Sequence, residues 1–274
     1  MPDSLLSVPN QRHARVDTIV LDGVELAKVT ERDIVARVVD ELSLGHGGRI
    51  ATVNTDILRG LNRDPSTMRL VEGDVLAVAD GMPLVWASRI QGDPLPGRVN
   101  GTNLLLALCE AAGARRLPIF LLGAPPGVAA TAASILEKRF PGLGVFGTSS
   151  PAQGFELDPE RMAEVARDLA PMGPGIVFCA FGFPKQEIVM DHLSASNPDK
   201  WFVACGGSLE MITGAVKRAP WWMQASGLEW LVRLVQEPRR LAGRYLKRDL
   251  PYLLGLMGRS LAARRRDRNS DRPA

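Results

Sequence analysis

Residues 75–81 read Val75-Leu-Ala-Val-Ala79-Asp80-Gly81, a short apolar run that ends at a carboxylate and a glycine. A run of this length between turn residues is typical of a strand buried on both faces of a sheet. Similar apolar runs recur along the chain, at 49–53, 117–122, 143–147, 175–181 and 201–205. Stretches with helical periodicity separate them, for example at 126–140 and 158–169. The sequence therefore predicts an α/β fold with a mainly parallel sheet and flanking helices.

The N-terminal part carries two local signals. Asp22-Gly23 between the runs 17–21 and 24–28 predicts a β-hairpin with a type I′ turn. Thr30 begins a helix whose apolar residues, at 34, 35, 38, 39 and 42, share one face. Residues 1–15 are expected to be disordered, and residues 16–235 are expected to form the α/β domain.

The composition changes after Trp221. Large apolar residues predict a helix from Trp221 to Val235. From Arg233 to Arg272 there are twelve Arg or Lys and four Asp or Glu, a balance of +8, which leaves −5 for the rest because the whole chain carries +3. Residues 236–274 are therefore predicted to form a basic, helical C-terminal appendage that meets an anionic partner. The last ten residues, polar and rich in Arg, are expected to be disordered.

Composition limits the class of protein. Hydrophobic residues make up 46% and charged residues 23%, as in ordinary soluble globular proteins. Cys109, Cys179 and Cys205 lie in apolar stretches without CxxC spacing, which favours buried thiols in a reducing compartment over disulfides or a zinc site. There is no secretory pattern and no apolar run of about 18 residues. We expect a cytoplasmic protein, peripheral on the inner face of the cell membrane.

Polar residues after the predicted strands are the candidate site, because ligands of parallel α/β sheets bind at the carboxyl ends of the strands. The candidates are Thr52 with Asn54, Asp80-Gly81, Gly123–Gly127, Gly182–Gln186 and Gly206-Gly207-Ser208. A partly buried Asp80 can have a raised pKa and act as a general base, or it can merely cap the next helix. Lys185 and Gln186 can hydrogen-bond a sugar or diphosphate, or simply begin a helix.

The loop Gly123–Gly127 can hold a phosphate on its backbone amides, or it can be a tight turn. It has neither the GxGxxG spacing nor the Gly-Lys-Ser/Thr of a Walker A loop. No metal or cofactor is expected, since the three histidines are scattered and no Asp-x-Asp occurs. The charge of a diphosphate would then be met by amide dipoles and by basic residues, with Arg98 and the appendage as candidates.

Seven stretches of the sequence together resemble motifs of the WecG/TagA/CpsF glycosyltransferase family. They follow one another in the expected order over about residues 17–257: Thr52-Val-Asn54-Thr55, Ala79-Asp80-Gly81-Met82-Pro83, Arg98-Val-Asn-Gly101-Thr102, Phe120-Leu-Leu-Gly123, Gly182-Phe-Pro-Lys-Gln-Glu187, Val216-Lys-Arg-Ala-Pro-Trp221 and Gly227-Leu-Glu-Trp230 continuing to Leu241. Phe183 departs from the pattern, because many relatives have Ala or Ser there. A bulky Phe183 is expected to narrow the pocket, which leaves the identity of the donor sugar open.

The resemblance implies a Rossmann-like fold and metal-independent, inverting transfer of an N-acetylmannosamine-type sugar or related hexose. The sugar donor would be a UDP-sugar, and the acceptor a polyprenyl-diphosphate-linked sugar at the cytoplasmic face of the membrane. By motif position, Asp80 would be the general base. Thr52 and Asn54 would line the donor sugar, Arg98 would face the diphosphate or the acceptor, and Gln186 would contact the substrate. The appendage residues Arg233, Arg239, Arg240 and Arg244 would complete the site and meet lipid phosphate. Gly123, Lys185 and Gly206 are added as substrate-binding residues because they follow predicted strands.

The appendage suits a membrane surface. Each Lys or Arg near an anionic membrane contributes about 1 kcal/mol before screening. Leu253, Leu254, Leu256 and Met257 are expected to enter the interface. The alternative is a helix that packs on the body or on a second subunit, so a homo-oligomer is possible.

Two other functions stay open on the sequence. One is a nucleotide-binding α/β oxidoreductase that uses Gly123–Gly127, and the other is a non-catalytic nucleotide-binding protein. Nucleic acid is not an expected partner, because the Arg residues lack interleaved aromatics and a recognisable module.

Overall fold

The strands lie where the apolar runs predict them. A computed structural model describes residues 16–217, 219–220, 223, 229–236 and 238–270, with the backbone but not the side chains of Arg233, Arg240, Leu241, Arg244 and 267–270. The predicted disorder of residues 1–15 lies outside the described residues. The strands of the described part are β1 (Thr18–Leu21), β2 (Val24–Ala27), β3 (Gly48–Val53), β4 (Val75–Ala79), β5 (Pro118–Gly123), β6 (Gly144–Ser149), β7 (Gly175–Ala180) and β8 (Lys200–Ala204).

Strands β3 to β8 form one sheet in the order β4-β3-β8-β7-β5-β6, and every neighbouring pair in it is parallel. This confirms the predicted mainly parallel, Rossmann-like sheet. The six strand bounds differ from the predicted ones by at most two residues. Strands β1 and β2 pair antiparallel as a separate hairpin. Its turn has positive φ at both Asp22 and Gly23, as a type I′ turn requires.

Helices cover both faces of the sheet. They are α1 (Glu31–Ser43), α2 (Thr55–Arg63), α3 (Met82–Gln91), α4 (Gly101–Arg115), α5 (Val128–Arg139), α6 (Pro159–Leu169), α7 (Lys185–Ser196), α8 (Ser208–Ile212), α9 (Glu229–Gln236), α10 (Pro238–Arg244) and α11 (Leu250–Ser270). Three short 3-10 segments (Pro65–Val71, Phe155–Leu157 and Ala170–Met172) and a π-helical turn (Tyr245–Asp249) join them.

Alternate strand residues point to opposite faces, which creates the layers of the core. Ile176 and Phe178 of β7 pack with α1, α4, α5 and α8 on one face. Val177 and Cys179 of the same strand pack with α6 and α7 on the other. All three cysteines are buried and free, as the sequence predicted. Helix α1 begins with the predicted cap, since Thr30 and Asp33 form a capping box.

The basic C-terminal segment is helical, and it packs on the body. Leu256 of α11 is 1% exposed and lies in the same core cluster as residues of the hairpin, α2 and α3. Asp22 in the hairpin turn accepts hydrogen bonds from the Tyr252 hydroxyl and from Arg259 (2.6 and 2.8 Å). The C-terminal helix is therefore held to the hairpin by both apolar and charged contacts.

This packing corrects two expectations. Leu256 cannot enter a membrane interface because the body buries it, and Leu253 and Met257 are partly buried beside it. Only Leu254 of the four named residues is largely exposed, at 66%. Helix α11 continues to Ser270, so the expected disorder of the last ten residues is wrong for 265–270. Ala and Arg both favour helix, and a docked helix extends easily through such a sequence.

We expect Leu256→Ala to lower the free energy of unfolding by about 2–5 kcal/mol, because it removes buried methyl groups and leaves a cavity. Leu254→Ala on the same helix is the matched control and should change the free energy by less than about 0.5 kcal/mol. Urea unfolding of the full chain measures both. Equal effects of the two substitutions would contradict the docked position of α11.

Candidate active site

A cavity of about 440 Å³ opens at the carboxyl ends of β3, β4, β7 and β8. The loops after these strands form its base, and α9, the π-helical turn and α11 form one wall. Its polar lining residues include Thr52, Asn54, Asp56, Asp80, Arg98, Asn100, Gln186, Ser208, Glu229 and Asp249, with backbone from Gly81 and Gly206. Its apolar lining residues include Met82, Trp86, Trp230, Leu246, Leu250 and Leu253. The cavity is thus polar at the sheet and apolar toward the C-terminal helices.

Asp80 lies directly after β4, half-buried at the base of the cavity. Its backbone N–H donates to the Val53 carbonyl (2.8 Å), which extends the pairing of β3 and β4 to the site. The N-cap of α3 is Gly81, so Asp80 is not the helix cap that the alternative interpretation required. Gly81 has φ +143°, which a residue with a Cβ adopts only with strain. This glycine turns the chain sharply away and leaves the Asp80 carboxylate at the cavity.

The loop after α3 returns to the same strand end. The Val99 N–H donates to the Ala79 carbonyl (2.8 Å), so Arg98 and Asn100 flank Asp80. Asn100 caps α4, because its Oδ1 accepts from Thr102 N and Asn103 N. Its Nδ2 then lies 3.5 Å from Asp80 Oδ1, a long contact between neutral amide and carboxylate. Asn100 therefore links the start of a helix to the candidate base.

Arg98 is a lining residue whose charge is already paired. Its Nη1 lies 3.2 Å from Glu229 Oε2 on α9, and both side chains are about 15% exposed. This ion pair joins the sheet half of the site to the C-terminal half. Since the pair is largely shielded from water, the attraction between its two charges is screened less than in an exposed surface pair of the same geometry.

Thr52 and Asn54 present defined groups to the cavity from the end of β3. The Thr52 hydroxyl, 5% exposed, donates to the Ala204 carbonyl (3.2 Å) and keeps its oxygen as an acceptor. Asn54 caps α2, with its Oδ1 accepting from Asp56 N and Ile57 N at 3.0 Å each. The Asn54 amide group therefore keeps its N–H donors.

Gln186 bridges two strand ends. It lies in the first turn of α7, after β7, and its Oε1 accepts from the N–H of Gly206, after β8 (3.3 Å). Its Nε2 donates to Glu187 Oε1 (2.9 Å). Glu187 is 1% exposed, and burial raises its pKa to about 7. Its Oε2 has no hydrogen-bond partner among the described residues.

Of the residues predicted to be catalytic or substrate-binding, six line this cavity: Thr52, Asn54, Asp80, Arg98, Gln186 and Gly206. The candidates Gly81, Gly207 and Ser208 line it as well. Lys185 and Gly123 are not among its lining residues. The Lys185 ammonium lies 2.9 Å from Glu156 Oε2 and over the rings of Phe155 and Phe181. Gly123, with φ +103°, packs close to the Ala180 carbonyl and the Phe181 ring. That contact matches the tight-turn interpretation of the Gly123–Gly127 loop.

Two other predictions concern residues outside the cavity. Phe183 does not line it; the ring packs against Gly60 of α2, where an added Cβ would lie 2.6 Å from Phe183 Cε1. The expectation that Phe183 narrows the pocket is therefore wrong. Arg239 is exposed and is not a lining residue. The side chains of Arg233, Arg240 and Arg244 lie outside the described residues.

The described lining carries more negative than positive charge. Asp56, Asp80, Glu229 and Asp249 line it with a single basic side chain, Arg98. Arg59, behind the lining, pairs with Asp56 and also with Asp249 (3.1 Å). Within the part of the chain that the structure describes, there is no group of three or more His, Cys, Asp or Glu arranged to hold a metal ion. Independence of metals remains a prediction.

Sequence reasoning missed Asn100, Glu187 and Glu229 as individual site residues. Asn100 carries a recognisable signal, since Asn before Gly-Thr at the start of an apolar stretch is a typical helix cap. Glu229 carries no such signal, because its partner Arg98 is 131 positions away in sequence. Glu187 follows Gln186 directly, but the sequence does not show that its side chain is buried and contacts that residue.

Fold and cavity define the class: an α/β protein with a candidate ligand site at the carboxyl ends of a parallel sheet. A family model described as "Glycosyl transferase WecG/TagA/CpsF family" matches residues 19–266. The chain therefore belongs to the WecG/TagA/CpsF family and is a glycosyltransferase. This confirms the resemblance read from the motifs and replaces the oxidoreductase and non-catalytic alternatives.

Two relatives carry the same enzyme name. The chain is 31% identical over 199 residues, 73% of this chain and 75% of the relative, to the N-acetylglucosaminyldiphosphoundecaprenol N-acetyl-beta-D-mannosaminyltransferase of Bacillus spizizenii strain W23. It is 30% identical over 194 residues, 71% of this chain and 73% of the relative, to the enzyme of that name from Bacillus subtilis strain 168. No helix in the described part of this chain is long and apolar enough to cross a membrane.

Proposed function

We propose that this glycosyltransferase moves an N-acetylmannosamine-type sugar, or a related hexose, from a UDP-sugar to a polyprenyl-diphosphate-linked sugar. Cell-surface polysaccharide or teichoic acid-type glycan synthesis would use such a product. The names of the two relatives support the sugar and the acceptor. The observation that carries the proposal is the Asp80 carboxylate in the lining of one cavity that has polar groups at the sheet and an apolar wall.

In the proposed reaction Asp80 acts as the general base. An acceptor hydroxyl attacks the anomeric carbon of the donor sugar while its proton passes to the Asp80 carboxylate. The bond from that carbon to the UDP oxygen breaks, and UDP leaves with the bonding electrons. A single displacement of this kind inverts the anomeric centre. The half-buried position of Asp80 allows contact with a substrate hydroxyl and limits competition from water.

The apolar wall supports a lipid-linked acceptor. Trp86 of α3 faces the same cavity as Trp230, Leu246, Leu250 and Leu253 of the C-terminal segment. A sugar diphosphate alone has little apolar surface that could contact this wall, whereas the first isoprene units of a polyprenyl chain are apolar. The sugar and diphosphate would lie at the sheet, and the lipid would leave past the C-terminal helices.

The charge of the UDP leaving group would be met by Arg98, by amide N–H groups of the strand-end loops, and by Arg233, Arg240 and Arg244 of the appendage. We propose that no metal ion is required, because the sequence has no Asp-x-Asp motif.

Membrane association would use the exposed side of α11. Leu250, Leu254 and Leu261 are spaced so that they share one face, and all are exposed (47, 66 and 42%). Arg264, Arg265 and Arg266 follow and are exposed as well. Exposed leucines beside a basic cluster suit the interface of an anionic membrane, so we propose a peripheral position on the inner face of the cell membrane.

Asp80→Asn is expected to lower the transfer rate by about 100-fold or more, because the amide cannot accept the proton. Binding of the UDP-sugar, measured by calorimetry, should persist because the side chain keeps its shape. A panel of UDP-sugars with a synthetic polyprenyl-diphosphate acceptor identifies the donor in the same assay. Asp168→Asn, on the exposed face of α6, is the control. A rate near that of the unchanged enzyme would exclude Asp80 as the base.

Transfer is expected to continue in excess EDTA, because amides and basic side chains meet the leaving-group charge. The assay compares initial rates with EDTA and with added magnesium. A strict requirement for magnesium would refute metal independence without affecting the role of Asp80.

Replacing Leu254 and Leu261 together with Ser is expected to reduce co-sedimentation with phosphatidylglycerol vesicles several-fold, because two exposed apolar groups are lost from the interface. Leu157→Ser is the control, since Leu157 is 81% exposed but lies on the body, before α6. Unchanged binding of the double variant would show that this face of α11 is not the membrane contact.

A further inference from the structure

Glu187 is a buried carboxylate that the proposed chemistry does not use. It is 1% exposed, its Oε1 accepts from Gln186 Nε2, and its Oε2 has no partner within the described residues. Burying such a group lowers stability, because one of its oxygens gives up its hydrogen bonds to water. Its described hydrogen-bond partner, Gln186, lines the cavity. A group that reduces stability and contacts a site residue is a candidate for a role in the site.

The two contacts of Gln186 select one orientation of its amide. Gly206 N–H, a donor, faces Oε1, and Glu187 Oε1, an acceptor, faces Nε2. Rotating the amide by half a turn would place two donors together at Gly206 and two acceptors together at Glu187. Both mismatches would occur in a buried place, where unpaired polar groups are least tolerated.

We propose that Glu187 is a positioning residue that fixes the Gln186 amide, so that Gln186 presents an N–H donor to the substrate. The amide nitrogen carries two hydrogens, and Glu187 takes one of them. The second has no acceptor among the described residues and belongs to a side chain that lines the cavity. Without Glu187, Gly206 alone would hold the amide, and the second orientation would become accessible. The inference rests on the proposed function, because it assigns Gln186 a contact in that reaction.

The test compares two replacements of the same residue. Glu187→Gln keeps an oxygen that can accept from Gln186, whereas Glu187→Met keeps the unbranched shape and loses the acceptor. We expect Glu187→Met to lower kcat/KM for sugar transfer by roughly 10- to 100-fold, since small displacements of a positioned group have effects of this size. Glu187→Gln should retain most of the activity. Glu164→Met on the exposed face of α6 is the control and should leave kcat/KM unchanged.

Stability separates positioning from a structural role. Glu187→Met removes a buried carboxylate that lacks a partner on one oxygen, so its unfolding midpoint should be unchanged or raised. Low kcat/KM in a stable protein supports positioning. Loss of activity together with a lowered unfolding midpoint would overturn it, as would wild-type kcat/KM in Glu187→Met or equal losses in both replacements.

A second measurement does not depend on activity. In protein labelled with 15N-glutamine, the Gln186 side-chain signal is one of six and is assigned by its loss in Gln186→Ala. Its bonded proton should exchange slowly with water in the unchanged enzyme and in Glu187→Gln, and rapidly in Glu187→Met. An unchanged signal in Glu187→Met would refute the positioning contact. If no UDP-sugar is a substrate, the proposed function fails, while this signal still decides whether Glu187 holds Gln186.

Discussion

The parallel pairing of β4, β3, β8 and β7 is the constraint on which the site depends. Because these strands run the same way, their carboxyl ends lie along one edge of the sheet. Backbone hydrogen bonds continue the pairing past the strand ends, from Asp80 N to Val53 O and from Cys205 N to Cys179 O. The carboxyl ends of β3 and β8, 152 residues apart in sequence, therefore lie side by side, and Thr52 of β3 donates to the carbonyl of Ala204 in β8. A shift in the register of these strands would therefore move apart the loops that carry the polar groups of the cavity.

The sequence predicted the features that depend on short-range patterns. Apolar runs located every strand of the sheet, and their ends located Asp80, Asn54 and Gln186. It missed α4 because that helix is buried against both the sheet and α1, so it has no polar stripe to reveal its periodicity. It placed Lys185 beside Gln186 at the site, yet adjacent helical residues point about 100° apart. Lys185 accordingly lies outside the cavity lining and pairs with Glu156.

The appendage shows where composition stops being informative. The excess of Arg and the leucines predict a helix that binds a partner. They do not predict which leucines face that partner and which pack on the body. That choice depends on the surface of α2, α3 and the hairpin, which buries Leu256 and leaves Leu254 exposed. Tertiary packing also creates the Arg98–Glu229 ion pair, since these two residues are 131 positions apart in sequence. Tertiary packing therefore decides how the C-terminal segment closes the cavity.

Three side chains of the cavity lining, those of Asn54, Gln186 and Arg98, keep hydrogen-bond donors for a ligand. Capping α2 occupies the oxygen of Asn54 and leaves its amide hydrogens. Gly206 occupies the oxygen of Gln186 in the same way, and Arg98 has only donors. Sugars and diphosphates present many acceptor oxygens, so these groups match such a ligand. Asp80 adds a carboxylate acceptor beside these donors. The other lining carboxylates form ion pairs, Asp56 and Asp249 with Arg59 and Glu229 with Arg98. The backbone of the fold thus sets the polarity of the site before any ligand binds.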